Sequence, residues 1–311
     1  MADGLVLTRR ESEWGVHETA QRAAAGAGRA VVRQYAGYQE WVGPGFLRRE
    51  MARHGVALIL GFGDAIDVYE GDVDTAPRRL GAFVVGNQLH SSVTGVGGHQ
   101  LGVQIELSPQ GARALFGDVS ELSDAVVTVE EAWGAAGSRL LERLAETASW
   151  AERLNLLDRE FGRLASSSAS ASGADVGDDG ALSPDVDWLR RQLAASHGAL
   201  RVEPLMDETG WSRRHVTEHF RRQLGVSPKA YARLLRFEHA RALLAELPSQ
   251  PQRTVADVAI GAGYYDQSHL TRDFAAMAGM TPGAFVATVD LVPEVRFVQD
   301  HEPDPPSDSV P

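Results

Sequence analysis

At 311 residues, with 43% hydrophobic and 23% charged positions, the chain has the composition of a soluble globular protein and is longer than one hydrophobic core usually serves, so two domains are expected. Cysteine is absent, which excludes disulfides, thiolate metal sites and cysteine nucleophiles and suits a reducing cytoplasm; no run reaches the ~18 apolar residues of a membrane-spanning helix, and nothing reads as a secretion signal. The formal net charge of −12 is unevenly spread: residues 183–290 carry +1, residues 1–182 carry −9 and residues 291–311 carry −4.

From about residue 30 to 108 the signals favour strands. Val56 to Leu60 is a short apolar run ended by Gly61 and Gly63, and Ala82 to Val85 is another before a turn-like Gly86-Asn87. Leu101, Val103, Ile105 and Leu107 alternate with Gly102, Gln104 and Glu106, the period of a half-buried strand. Gly95-x-Gly97-Gly98-x3-Gly102 leads into that strand and not into a helix, so it reads as a turn and not as a dinucleotide fingerprint. His90 and His99 lack the clustered spacing of a metal-binding barrel and read as surface or turn histidines.

Beyond residue 109 the pattern turns helical. Ser149 and Glu152 form a capping box that opens a helix with Trp150, Leu154, Leu157, Phe161 and Leu164 along one stripe, suited to packing on its own sheet more than to a dimer interface. Strands followed by helices predict an α+β domain over residues 1–164, β-rich and barrel- or sandwich-like. Residues 165–182 (SSSASASGADVGDDGALS) are small, polar and acidic with no apolar period, and predict a flexible linker. Residues 291–311, rich in Pro and Asp from 298 onward, predict a mostly disordered tail.

Between linker and tail, over residues 183–290, one pattern occurs twice. The first copy runs Val202-x2-Leu205-Met206-x3-Gly210, then Phe220-x4-Gly225-x2-Pro228-x2-Tyr231. The second runs Val255-x2-Val258-Ala259-x3-Gly263, then Phe274-x4-Gly279-x2-Pro282-x2-Phe285, with one extra residue between Gly263 and Phe274. Each copy reads as helix, tight turn, helix. Gly210 supplies the open backbone of the turn, Ser212 caps the second helix, Val216 and Phe220 point inward, and Gly225 ends it. Ser227-Pro228 and Thr281-Pro282 each begin a further helix with a cap and a first-turn proline. Pro228 to Leu244 reads as one continuous helix of roughly 25 Å at ~1.5 Å per residue, a stiff connector between the copies. Successive major-groove faces of DNA lie about 34 Å apart, so two probes on one connector suit an asymmetric site of roughly two turns.

At these residues the segment resembles the AraC/XylS family of bacterial transcription regulators. The resemblance rests on Gly210-Trp211-Ser212, Phe220-x4-Gly225-x-Ser227-Pro228-x2-Tyr231, Arg236, Ala240 and Leu243-Leu244 in the first part. Val258-Ala259-x3-Gly263-Tyr264, Ser268-His269-Leu270-Thr271-Arg272-x-Phe274 and Gly279-x-Thr281-Pro282 carry it in the second. It implies a multidomain, non-enzymatic regulator without a cofactor or metal, whose seven-helix, all-α tandem helix-turn-helix domain opens with Ser183 to Ala195. It also implies double-stranded DNA and RNA polymerase as partners, an N-terminal domain that binds a small effector or forms a homodimer, and a cytoplasmic, nucleoid-associated place.

The two recognition helices are expected at about 213–223 and 266–277. Burial of Val216 and Phe220 leaves Arg213, Arg214, His215, Thr217, Glu218 and Arg221 outward, and burial of Leu270 and Phe274 leaves Gln267, Ser268, His269, Thr271 and Arg272. The family's base readers fall near the N-terminal and middle turns, so the resemblance implicates Arg214, His215, Thr217 and Glu218, then Gln267, Ser268, His269 and Arg272. Arg272 can fork onto guanine O6 and N7 and Gln267 can pair with adenine, whereas Arg213 and Arg221 suit phosphates. Glu218 departs from the family, which usually has a basic residue there; its carboxylate repels phosphate but can accept from cytosine N4.

Two other readings compete. His215-Val216-Thr217-Glu218-His219 fits the H-x-x-E-H pattern of zinc peptidases, yet it occupies one turn of a short repeat helix whose next residue, Phe220, is committed to the core. The other reading is a small-molecule-binding or enzymatic N-terminal barrel with an accessory DNA-binding domain.

Overall fold

The computed structural model describes residues 4–12, 15–69, 73, 75–171 and 181–289. The N-terminal half contains β1 (Val6–Ser12), β2 (Gly15–Ala23), β3 (Val32–Glu50), β4 (Ala57–Gly61), β5 (Ile66–Tyr69), β6 (Arg78–Leu80), β7 (Ala82–Val85), β8 (Ser92–Leu107) and β9 (Val126–Thr128). Helix α1 (Pro109–Phe116) precedes β9, and α2 (Val129–Glu146) and α3 (Trp150–Ala171) follow it. The strands pair in the order β1-β2-β3-β8-β4-β7-β9, with β5 joined to β8 and β6. All pairs are antiparallel. The sheet is organised by its two longest strands, paired from Val32↔Leu107 to Glu50↔Ser92 and bent by irregularities at Val32/Gln34 and Val42/Phe46.

Ser149 caps α3, its hydroxyl accepting from the Glu152 amide at 3.3 Å and donating to the Glu152 carboxylate at 2.7 Å, which is the Ser149 half of the box read from the sequence. Trp150, Leu154, Leu157 and Phe161 are buried in the same core as Tyr35, Leu58, Val103 and Ile105, so the stripe covers its own sheet. Gly37 on β3 makes room: a side chain there would run into the Trp150 ring. Several features differ from the sequence reading. Strands β1 and β2 precede residue 30, and Gly95, Gly97 and Gly98, read as a turn, lie within β8, where Gly98 pairs with Val42 beside the irregularity of β3. Strand β8 is not half-buried, because Gly102 and Gln104 are enclosed as well as Val103 and Ile105, the sheet being covered on both faces. Helix α3 continues to Ala171, into the stretch read as linker, since alanine and serine are tolerated in a helix that tertiary packing has already nucleated. Residues 172–180 and the tail at 291–311 lie outside the described residues.

The C-terminal half is helical: α4 (Pro184–Ala195), α5 (Val202–Glu208), α6 (Arg213–Leu224), α7 (Pro228–Ala245), α8 (Val255–Gly261), α9 (Gln267–Ala278) and α10 (Pro282–Val289). The repeat becomes two cores that share α7. Tyr231, Ala232 and Leu235 of α7 pack with Val186, Leu189, Val216 and Phe220. Leu234, Phe237, Ala240 and Leu244 pack with Val258, Leu270, Phe274 and Met277. Gly210 and Gly263 turn with φ of +75° and +80°, and Gly225 and Gly279 cap α6 and α9 with φ of +83° and +72°, values that L side chains rarely adopt.

The halves dock through loops of the sheet domain. Ala52 is buried in the second helical core, and Leu89 packs against both. The Asn87 amide donates to the Leu224 carbonyl at 2.8 Å, the Ser123 hydroxyl to Gly225 O at 2.6 Å, and the Val119 amide to Arg222 O at 3.1 Å, all at the C-terminal end of α6. The Ala52 amide donates to Met277 O at 2.7 Å at the corresponding end of α9. The last carbonyls of a helix have no intrahelical partner, so these loops satisfy groups that the helices leave open.

Candidate nucleic-acid interface

Helices α6 and α9 are the second helices of the two repeats, twelve residues each. Each is opened by a side-chain cap: Ser212 accepts from the His215 amide at 3.3 Å and Asp266 from the His269 amide at 2.7 Å. Burial of Val216 and Phe220, and of Leu270 and Phe274, fixes which face turns outward. Arg213, Arg214, Glu218 and Arg221 on α6, and Gln267, Ser268 and Arg272 on α9, are exposed. His215, Thr217, His269 and Thr271 are half-buried.

Local contacts sort these side chains further. Thr217 donates to Arg213 O at 2.7 Å and Thr271 to Gln267 O at 2.8 Å, the same back-bond in both repeats, which leaves each hydroxyl oxygen outward as an acceptor. Arg213 forks onto Asp207 of α5 at 2.9 and 2.7 Å, a surface pair in which the guanidinium holds the carboxyl below its ordinary range. It therefore reaches a phosphate only by leaving Asp207. The His215 ring is stacked on Trp211, at 4.4 Å between centroids, and meets the tilted ring of His219 at 4.0 Å. His269 meets the edge of Tyr264 at 5.1 Å.

Helix α9 is fixed to the connector by Arg233, which donates to Asp273 through Nε at 3.0 Å and also pairs through Nη2 at 2.9 Å. Arg236 of α7 donates to Gly198 O at 2.8 Å and lies over the Tyr264 ring at 5.9 Å. The Asp273 and Tyr264 contacts bind the second repeat to α7, and the Gly198 contact binds the segment ahead of α5 to the same helix.

The H-x-x-E-H turn places the His215 and His219 rings together, with Glu218 exposed beside them; among the described residues no group of three His, Cys, Asp or Glu converges as a metal set would. His90 lies exposed in the loop after β7, and His99 is stacked on Trp41 at 4.5 Å with its Nε2 3.1 Å from Gln39 Nε2, so the two histidines share no site.

The sheet domain carries a polar cluster that the sequence reading missed. The Arg48 guanidinium donates to both oxygens of Glu40, at 3.0 and 2.9 Å, and His17 Nδ1 lies 2.9 Å from Glu40 Oε2. Burial alone raises a carboxyl pKa, but the His17 hydrogen bond and the Arg48 charge reverse this and hold Glu40 at about 2. Nearby Glu50 accepts from Thr94 at 3.1 Å and is displaced upward because burial dominates. Charged residues at 40, 48 and 50 of one long strand were the available signal.

Residues 205–288 match the family described as "Helix-turn-helix domain". The HTH-type transcriptional activator RhaR of Klebsiella pneumoniae is 33% identical over 99 residues, which cover 32% of this chain and 34% of that protein. An uncharacterized HTH-type transcriptional regulator of Bacillus subtilis, YbfI, is 35% identical over 69 residues, 22% of this chain and 23% of that one. The chain thus spans about a third or less of the length of the curated relatives it matches. Among solved structures, ToxT from Vibrio cholerae aligns with 82% of this chain and 97% of its own at a TM-score of 0.45 and 10% identity.

Proposed function

We propose that this chain, whose C-terminal half is a tandem helix-turn-helix domain of the AraC/XylS type, is a sequence-specific transcription regulator that reads two successive major grooves of one duplex. The observation that carries this reading is the pairing of α6 and α9: equal length, the same buried positions, and exposed polar side chains on their N-terminal and middle turns, both held by one connector. In this reading Arg214, His215, Thr217 and Glu218 face one set of bases and Gln267, Ser268, His269 and Arg272 the other. Arg221 and Thr271 serve the backbone, and Arg213 joins them once released from Asp207. The base-facing helix ends point away from the loop contacts, so docking of the sheet domain leaves them accessible.

The sheet domain is proposed to be the sensing part. Supporting this is the cluster of Glu40, Arg48, Glu50 and His17, in which Glu40 is buried and its partners are partly covered, since buried charge costs stability and is kept where it serves a ligand or a unique arrangement. Its loops touch the C-terminal ends of both recognition helices, which gives a bound small molecule a direct route to them. A homodimer and contact with RNA polymerase belong to the same proposal, as do the cytoplasmic place and the absence of any catalytic step. No helix among the described residues is long and apolar enough to cross a membrane.

Selection of bound sequences from random duplex DNA by the full chain tests the reading. The expected product is an asymmetric motif of two half-sites about one helical turn apart. Recovery of no enriched sequence at moderate salt overturns it.

A further inference from the structure

Both recognition helices are preceded by an exposed aromatic ring. Trp211 stands immediately before the cap Ser212 and is 55% exposed; Tyr265 stands immediately before the cap Asp266 and is 87% exposed. An apolar residue at this position commonly folds back onto the fourth residue of the helix as a hydrophobic staple. Here it does not. Val216 and Leu270, the residues a staple would meet, are already fully buried in the repeat cores, while the two rings stay in solvent.

The two repeats reach this arrangement by different routes. In the second, Tyr264 follows the turn glycine and is packed into the core at 3% exposure, and the one residue by which this repeat is longer adds Tyr265 in front of the cap. In the first there is no added residue. Trp211 itself follows the turn glycine, but it lies outside the core and stacks on His215. That both rings keep more than half of their surface in water, at the same place in both copies, is not what folding requires.

We infer that Trp211 and Tyr265 are DNA-positioning residues: each ring lies on the sugar–phosphate rim of the groove that its helix enters and donates, through indole Nε1–H or the phenol O–H, to a backbone phosphate. This rests on the regulator reading and extends it to residues outside the outward helix faces. A residue one position ahead of the cap sits beside the groove wall when the first turns meet the bases. Trp and Tyr combine apolar area with one neutral donor, the chemistry that a sugar and its phosphate present. The local charge makes neutral donors useful: Asp266 adjoins Tyr265, Glu218 lies on α6, and residues 183–290 carry only +1.

The test uses the full chain with two probes: a mixed-sequence duplex roughly four helical turns long and a duplex recovered by the selection experiment. Trp211→Ala and Tyr265→Ala are each expected to weaken binding to both duplexes by a similar factor, roughly three- to tenfold for a lost hydrogen bond and ring contact. Base preference and the slope of affinity against salt should stay unchanged, because a neutral donor displaces no counterions. Trp211→Phe and Tyr265→Phe keep the ring and should recover part of the loss. Duplex carrying a photoactivatable aryl azide on backbone phosphorothioates along the groove rim should crosslink to both rings in the unaltered protein.

Unaltered protein that binds both duplexes while the alanine variants bind equally well, with no crosslink to either ring, overturns this inference and leaves the regulator reading standing. A change of preference confined to one base pair overturns the positioning role in favour of base reading. Failure of the unaltered protein to bind any duplex overturns the regulator reading and this inference with it.

Discussion

The Asn87 side chain donates to the Leu224 carbonyl at 2.8 Å and accepts from the Gly55 amide at 2.9 Å, and it is 1% exposed. One buried amide thus joins the last turn of the first recognition helix to two loops of the sheet domain. Asn87→Ala removes both partners at once and leaves a carbonyl and an amide unpaired away from water. At about 1–3 kcal/mol for each such group, the variant should lose roughly 2–6 kcal/mol of unfolding free energy in urea. A loss below about 0.5 kcal/mol, the range of an ordinary surface change, would mean that the halves do not dock in solution as described.

The left-handed glycines give an independent measure of the same docking. Gly210 and Gly279 both have φ above +70°, but a side chain on Gly210 meets nothing, whereas one on Gly279 would strike Arg49 and Ser91 of the sheet domain. Gly210→Ala should therefore cost only the left-handed penalty, about 1–2 kcal/mol. Gly279→Ala should cost a further 1–3 kcal/mol or so from crowding. Equal midpoint shifts for the two variants in the full chain would show that the contact at Gly279 is not made.

The helical half was legible because the repeat states each position twice. Val216 and Phe220 in one copy are checked by Leu270 and Phe274 in the other, and glycines 210, 225, 263 and 279 occupy the left-handed backbone positions their spacing implies. The sheet half has no such redundancy. Its alternation at 101–107 marks a strand but not that the second face is also covered, which depends on what packs there. The Glu40–Arg48 pair joins residues eight apart across an irregularity of one strand, and Asn87 sits in a dipeptide that reads as an ordinary turn. Their roles arise from tertiary placement, which local pattern does not encode. Trp211 was visible as part of a motif, but its exposure follows from what the first core leaves outside.

Arg272 is exposed on the middle of α9, clear of the Arg233–Asp273 pair that anchors the helix, so its removal should leave the fold intact. Arg272→Ala is expected to cut specific binding by about 1–3 kcal/mol, concentrated at one base pair. An unchanged sequence preference together with unchanged affinity would remove Arg272 from the readers.

Glu218 gives the opposite sign. It is exposed on α6, where a carboxylate opposes phosphate approach, so Glu218→Arg should tighten non-specific binding and steepen the salt slope by about one. Flat salt dependence between the two proteins would place residue 218 away from the backbone and favour contact with cytosine.

The Glu40 cluster predicts how the sheet domain responds to acid. Its carboxyl stands at about 2 in the folded chain against an ordinary 4.5, so the charged form is favoured by folding. A depressed carboxyl stabilises the fold above its unfolded value and ceases to do so as pH falls through the folded one, so the contribution is present above about pH 4.5 and fades towards pH 2. Its size is about 3 kcal/mol by the linkage relation. Glu50, displaced upward by burial, acts the other way: its contribution is complete at low pH and is lost as pH rises through its raised value. Glu40→Gln removes the first effect and leaves the second, and it also leaves the Arg48 guanidinium without its counter-charge. Stability should then drop at pH 6 by a few kcal/mol, with a much shallower decline between pH 4.5 and 2 than in the unaltered chain. Parallel stability curves for the two proteins across that interval would show that Glu40 does not carry its charge in the pair with Arg48.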